Sequence, residues 1–135
     1  MNRRMIQWTA ALVVSGLWAS AAVAQATFPE PSVPEAWKSL DAAGLVNLAK
    51  QFAEQGDEGQ ANRALLAKYV AFKYLNDPAA TKTASLSQWR EMAGYLAGDV
   101  AAADRPRWAV KLRISYAPDQ AAAVALADQD FADLV

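Results

Sequence analysis

The sequence predicts an all-α protein built from antiparallel helical hairpins, and three observations lead to that prediction. Apolar residues recur at intervals of three and four positions, which is the spacing of one helical face. Alternating runs of Val, Ile and Thr, which would indicate strands, are absent from the sequence, while alanine is abundant. Short junctions containing Gly, Asp or Pro separate the apolar stretches, as expected where one helix ends and another begins.

The first predicted hairpin begins after Asp41, a good N-cap residue. Gly56 occupies the position of a left-handed residue that ends a helix, and Asp57 is expected to cap the second helix directly. That helix is expected to end at Asn76-Asp77-Pro78. Because the connection is only about two residues long, the two helices are predicted to be antiparallel neighbours. The apolar stripe of the first helix consists of Leu45, Leu48, Ala49 and Phe52.

A looser stretch, Ala79–Ala84, precedes the third predicted helix. Ser85 and Gln88 have the spacing of a capping box, and Asp104 is expected to cap a fourth helix that carries Pro106 in its first turn. The apolar faces of these two helices comprise Trp89, Met92, Ala93 and Leu96 in one, and Trp108, Leu112 and Tyr116 in the other.

Two further helices are predicted beyond Ala117-Pro118, at Asp119–Ala127 and from Asp128 onward. The last one has an apolar edge formed by Phe131, Leu134 and Val135, with no partner evident in the sequence. Two interpretations stay open: the sequence is a fragment of a longer protein, or this tail packs back on the core.

The stretch Leu45–Leu65 resembles the first part of a tetratricopeptide repeat. Such repeats place large, small and aromatic residues on helix A as Leu45, Leu48, Ala49 and Phe52 are placed here, with Gly-Asp at the turn. Ala61 matches the small residue at which helix B approaches helix A, and Trp89–Leu96 is a second candidate helix A. The spacing from Leu45 to Trp89 and the long second helix depart from the regular period. The resemblance implies a right-handed helical array that binds a protein or peptide without catalysis.

Residues 1–26 have the pattern of a secretory signal peptide. Arg3 and Arg4 precede an uncharged apolar stretch, and two Ala-x-Ala patterns follow at Ala22–Ala24 and Ala24–Ala26. An uncleaved membrane anchor and a twin-arginine signal are the alternatives. The signal predicts an exported, periplasmic or extracellular protein, in contact with a membrane only if the signal is uncleaved. Residues 27–34, which contain three prolines, are expected to be an extended linker before an all-α domain at 35–135, with a binding segment as the alternative.

Composition excludes several classes of function. The 135 residues include no Cys and no His, which removes disulfides, the usual zinc sites, His-based triads and Cys nucleophiles. The formal net charge is −1, which does not favour a nucleic-acid partner. Neither the Asp57-Glu58 pair nor the cluster Asp128, Asp130 and Asp133 has the pattern of a catalytic or calcium-binding group. Asp57 and Asp128 are most simply helix caps. No catalytic residue, metal site or cofactor is predicted.

One candidate binding patch surrounds Trp108. Four basic residues lie within nine positions, with Trp108 available to stack on a ligand; the alternative is a solvated helix flank with Trp108 in the core. For Trp37, Trp89 and Trp108 together, a core position is favoured. The basic residues are Arg105, Arg107, Lys111 and Arg113.

The sequence therefore predicts an exported, non-catalytic helical scaffold or interaction module with an unidentified protein or peptide partner. The alternative is a helical accessory region, or a fragment, of a larger exported enzyme whose catalytic part lies elsewhere.

Overall fold

A computed structural model describes residues 27–116, which contain six α-helices and no strand. The all-α prediction is confirmed for this part of the chain. Short 3₁₀ turns at Gly56–Gly59 and Ala97–Asp99 follow the second and fifth helices, and a π-helical turn at Ala71–Leu75 extends the third. The helices are α1 (Glu35–Lys38), α2 (Ala42–Glu54), α3 (Gln60–Val70), α4 (Pro78–Thr81), α5 (Leu86–Leu96) and α6 (Arg105–Tyr116).

Three of the predicted helix boundaries are confirmed by their local geometry. The Asp41 carboxylate accepts a hydrogen bond from the backbone N–H of Gly44. Both bonds of the capping box between Ser85 and Gln88 are present at the start of α5. Gly56 has a φ of 62°, the left-handed conformation that glycine adopts without a steric penalty.

The predicted turn between α2 and α3 is wrong in two respects. Asp57 does not cap α3, because the 3₁₀ turn intervenes and the helix begins after Gly59 without a side-chain cap. Ala61 is exposed, so it is not the residue at which the two helices approach each other. That residue is Gly59, which is buried and has no room for a side chain, since a Cβ there would lie 2.1 Å from the Phe52 carbonyl oxygen.

Arg63 fixes this turn to the rest of the fold. Its Nη1 donates to the carbonyl oxygens of Phe52, at 2.8 Å, and Gly56, at 2.7 Å. Its Nε donates to the carboxylate of Asp99, at 2.6 Å, in the 3₁₀ turn that follows α5. One guanidinium group therefore joins the end of α2, the start of α3 and the end of α5. We call this set of contacts the Arg63 clamp.

The core lies where α2 packs against both α3 and α5, and where α6 packs against α4 and the π-helical turn. Trp37, Trp89 and Trp108 are all buried, which confirms their predicted core positions. Trp37 packs against Phe52 and Tyr69, with ring centroids 5.8 and 6.3 Å apart. The largest fully buried side chains are Leu45, Leu66, Val70, Leu75, Thr81, Met92 and Leu96.

The stretch predicted to be loose between the second and third helices contains a single-turn helix, α4, which begins at Pro78 after the Asp77 cap. The buried hydroxyl of Thr81 donates to the Tyr74 carbonyl oxygen, which belongs to the preceding π-helical turn, at 2.5 Å. Trp89 Nε1 donates to the Thr81 carbonyl oxygen at 3.0 Å, and the Tyr116 hydroxyl donates to that of Ala84 at 2.6 Å. Burial raises the pKa of Tyr116 to about 12. Side chains from α5 and α6 thus bond to carbonyl groups at the end of this short helix and just beyond it.

α6 begins directly after Asp104, as predicted, and buries Trp108, Leu112 and Tyr116. The helices predicted at 119–127 and from 128, the tail ending in Leu134-Val135 and the signal at 1–26 lie outside the described residues. Between residues 27 and 116, no helix combines the length and the apolar character needed to cross a membrane.

Candidate binding site for an extended segment

Two of the four basic residues near Trp108 bond to other groups of the protein. Arg105 Nε donates to the Val100 carbonyl oxygen at 3.1 Å, whereas Arg107 Nη1 pairs with the Asp104 carboxylate at 3.1 Å. Lys111 lies one turn beyond Arg107 and is half-buried, and Arg113 is exposed near the end of α6. Trp108 is buried in the core, so its ring is not available for stacking on a ligand from solution.

The Trp108 ring contacts Phe28, which lies in the segment expected to be an extended linker. The segment 27–34 has no helix, turn or bend, as the prolines predict, but it packs against the helices. The Phe28 side chain is buried, with its ring edge-on to Trp108 at a centroid separation of 6.4 Å. The Arg107 guanidinium lies over the face of the Phe28 ring, 4.1 Å from the ring centroid. Residues 27–34 are therefore attached to the core, and not simply a spacer.

Asn76 holds the backbone of Phe28 through both ends of its side-chain amide. Asn76 Oδ1 accepts from the Phe28 backbone N–H at 2.8 Å, and Asn76 Nδ2 donates to the Phe28 carbonyl oxygen, also at 2.8 Å. An asparagine amide offers one acceptor and two donors, so it satisfies both backbone groups of one extended residue. We call Asn76, Arg107 and Trp108 the anchor site.

Arg107 is the least well satisfied member of the anchor site. Its Nη2 donates to the Thr27 carbonyl oxygen, and its Nη1 bonds to Asp104. Its Nε atom is buried and has no hydrogen-bond partner among the described residues. A buried donor without an acceptor costs about 1–3 kcal/mol. The docked segment therefore leaves part of the arginine's hydrogen-bonding capacity unused.

An open cleft of about 450 Å³ lies beside the docked segment. One wall is the segment from Phe28 to Ser32, and the other is formed by Leu65 and Lys68 of α3 together with Asp104 and Arg107. Residues 29–32 thus line a cleft, whereas the neighbouring Phe28 is inserted into the core. The volume lies within the range of sites that hold small molecules or side chains.

A second and more open groove, of about 600 Å³, lies at the opposite end of α3. Asp57, Glu58 and Arg105 line it, but the Arg105 Nε is engaged by the Val100 carbonyl oxygen. Within the part of the chain that the structure describes, no three His, Cys, Asp or Glu residues are grouped as metal ligands. The predicted cluster of Asp128, Asp130 and Asp133 lies outside that part.

Comparison with protein-family models, with curated proteins and with solved structures finds no match to this chain. The tetratricopeptide resemblance therefore receives neither support nor contradiction from relatives.

Sequence reasoning identified two members of the anchor site, Arg107 and Trp108, for a different reason, and missed Asn76. Asn76 was interpreted as part of a helix stop, which it is. Its bonds to Phe28 join residues 48 positions apart. No local pattern reports such a contact. The available signals were an aromatic residue isolated in a proline-rich segment and an asparagine at a helix end.

Proposed function

We propose that this protein is an exported, non-catalytic helical module that binds an extended segment of a protein partner at the anchor site. The observation that carries the proposal is the docked segment 27–34. The helical surface already holds one extended segment there, through a buried aromatic side chain and a two-point bond to its backbone. Export is supported by the signal pattern at 1–26.

The chemistry of the anchor site suits recognition of an extended chain. Asn76 bonds to backbone groups that every residue except proline possesses, so it selects for conformation and not for a particular side chain. Selectivity comes from the space between Trp108 and Arg107, which takes an aromatic ring. A proline next in the sequence, as Pro29 is here, favours an extended ligand and lowers the entropy lost on binding.

We also propose that the helices form a tetratricopeptide-like array. In support, α2 packs on both α3 and α5, as the first helices of adjacent hairpins would. Leu45 and Ala49 are buried in that contact region. Two features depart from the family pattern: Gly59 replaces Ala61 at the close approach, and a π-helical turn prolongs α3.

The proposal is tested by supplying the segment separately. A full-length Phe28→Ala variant leaves the anchor site unfilled, and an acetylated peptide with the sequence of residues 27–34 is titrated into it by calorimetry. We expect a Kd of about 10–100 µM, corresponding to roughly 5–7 kcal/mol. The unchanged protein should bind far more weakly, because its own segment competes at an effective concentration of about 1 mM or more.

Matched variants in the Phe28→Ala background identify the site. Adding Asn76→Ala or Arg107→Ala should weaken peptide binding about tenfold, through lost hydrogen bonds and the lost contact with the ring. Adding Lys111→Ala, one turn from Arg107, should leave the Kd within about twofold, as a control for charge. A peptide with Ala in place of its Phe should not bind. The absence of binding to the Phe28→Ala variant would refute the proposed function.

A further inference from the structure

We propose that a second copy of this chain is one partner of the anchor site, in which each copy inserts its own Phe28 into the site of the other. This inference rests on the proposed function, because the site must accept a segment from a separate molecule. The product would be a two-fold symmetric dimer in which the contacts of the single chain are re-formed between chains.

The contacts within a single chain show how a second copy would bind at the anchor site. Phe28 of a second copy would meet the same Asn76 amide, the same edge-on contact with Trp108 and the same Arg107 guanidinium. Every copy carries both the inserted segment and the site. Reciprocal exchange therefore needs no new interface and leaves neither site empty.

The position of the anchoring contacts allows the exchange. They are concentrated on Thr27 and Phe28, at one end of the segment. At the other end, Val33 packs against the core, and the Pro34 carbonyl oxygen accepts from the N–H of Trp37 at 3.0 Å. Residues 29–32 between these points line the open cleft. They can act as the hinge, because redirecting them disrupts no helix.

The length of the segment 27–34 decides whether Phe28 reaches its own anchor site or only that of a second copy. Residues 27–34 contain no turn or bend, and their three prolines favour an extended backbone, so we expect the segment to have little slack. Each residue of an extended chain spans at most about 3.3–3.6 Å. Removing two hinge residues should therefore prevent Phe28 from reaching its own site by about 7 Å. A second copy has no such restriction, because the two chains can adjust their relative position.

The experiment is a full-length variant from which Pro31 and Ser32 are deleted, examined by sedimentation equilibrium beside the unchanged protein. The unchanged protein should be a monomer at about 10 µM and should form the exchanged dimer only as its concentration approaches about 1 mM, the effective concentration of its own tethered segment. The shortened variant should be a dimer, with a dissociation constant at least about 100-fold lower than that of the unchanged protein. The same deletion combined with Phe28→Ala should be monomeric.

Two results overturn the proposal: a shortened variant that stays monomeric, or a shortened variant whose dimer persists with Phe28→Ala. A second measurement covers the case in which the deletion prevents folding. An equal mixture of full-length Phe28→Ala and Asn76→Ala chains, at about 1 mM, should form more heterodimer than either chain forms homodimer, because one supplies the site and the other the segment. If Phe28→Ala binds the free peptide but neither experiment yields a Phe28-dependent dimer, only the second-copy inference fails.

Discussion

The Arg63 clamp and the anchor site each depend on an arginine, but the two arginines have different structural roles. In each, an arginine bonds to an aspartate and to the backbone: Arg63 to two carbonyl oxygens and Arg107 to one. Arg63 and Asp99 are 13% and 8% exposed and 2.6 Å apart, whereas Arg107 and Asp104 are 32% and 39% exposed and 3.1 Å apart. The first arginine joins three helical elements of the core, and the second holds a terminal segment against its surface.

This difference separates a contact that sustains the fold from one that can open. Arg63 bonds to two carbonyl oxygens, one in the last turn of α2 and one in the turn that follows it, and its side chain is only 13% exposed. Arg107 leaves its Nε unsatisfied among the described residues and borders an open cleft. We therefore expect substitutions in the clamp to unfold the protein, and substitutions in the anchor site to release residues 27–34 while the helices persist.

The largest effect is expected for Arg63→Ala. It leaves the carboxylate of Asp99 buried and without its cation, and removes the donor to Phe52 and Gly56. Loss of about 3 kcal/mol in the free energy of unfolding is expected, measured by urea denaturation. The double variant Arg63→Ala/Asp99→Ala should recover part of that loss, since it removes the unpaired charge. A loss below about 1 kcal/mol in Arg63→Ala would show that the clamp is not essential.

The next effect is expected for Gly59→Ala. The added methyl group would lie 2.1 Å from the Phe52 carbonyl oxygen, so α2 and α3 must move apart. We expect a loss of about 2 kcal/mol in the free energy of unfolding. Gly98→Ala is the matched control, because a Cβ there meets nothing within 4 Å, and its effect should stay within about 0.5 kcal/mol. Equal effects of the two substitutions would contradict the close approach at Gly59.

Asn76→Ala should have a smaller effect, confined to the docked segment. Two hydrogen bonds to Phe28 are lost, which corresponds to about 1–2 kcal/mol for docking. Limited proteolysis should cleave within residues 27–34 at least about tenfold faster, while urea denaturation of the helices changes by less than about 1 kcal/mol. Unfolding of the whole protein in this variant would place the anchor site in the same class as the clamp.

Tyr116→Phe should have the smallest effect at neutral pH, about 1 kcal/mol, for the lost bond to Ala84. Its effect on alkaline stability is more specific. Burial raises the pKa of Tyr116 to about 12 from the ordinary 10.0, so the unfolded chain loses this proton at lower pH than the folded chain.

Stability therefore falls as the pH rises from 10 to 12, and Tyr116→Phe should lessen this fall in denaturation experiments. Burial also raises the pKa values of Tyr69 and Tyr74, so these two residues still contribute to the loss of stability at high pH in the variant. An identical alkaline profile in the variant and the unchanged protein would contradict the burial of Tyr116.

The sequence predicts correctly those helix boundaries that depend only on neighbouring residues. The Asp41 cap, the Ser85–Gln88 capping box and the left-handed Gly56 are each decided within one helical turn, and they are observed. The Asp57 cap was wrong because whether a turn is 3₁₀ or α-helical depends on packing against Phe52 and on the bonds made by Arg63.

The candidate site could not be predicted from the sequence, because its contacts also depend on the packing of distant parts of the chain. Its contacts join Phe28 to Asn76 and Trp108, which are brought together only by the packing of α6 against α4 and the π-helical turn. The same packing buries Trp108, the ring that the sequence placed in a surface patch or in the core. The sequence already favours the core position, because Trp108 has helical spacing to other large apolar residues.

The most direct test of the account is amide hydrogen exchange of Phe28 in the unchanged protein, compared with the amides of α3 around Arg63. The Phe28 N–H is bonded to Asn76 Oδ1 and should be protected, but it should exchange through local opening at least about tenfold more readily than the α3 amides. Asn76→Ala should remove the protection of Phe28 alone. Exchange of Phe28 only through global unfolding, at the same free energy as α3, would contradict the claim that the anchor site opens independently of the fold.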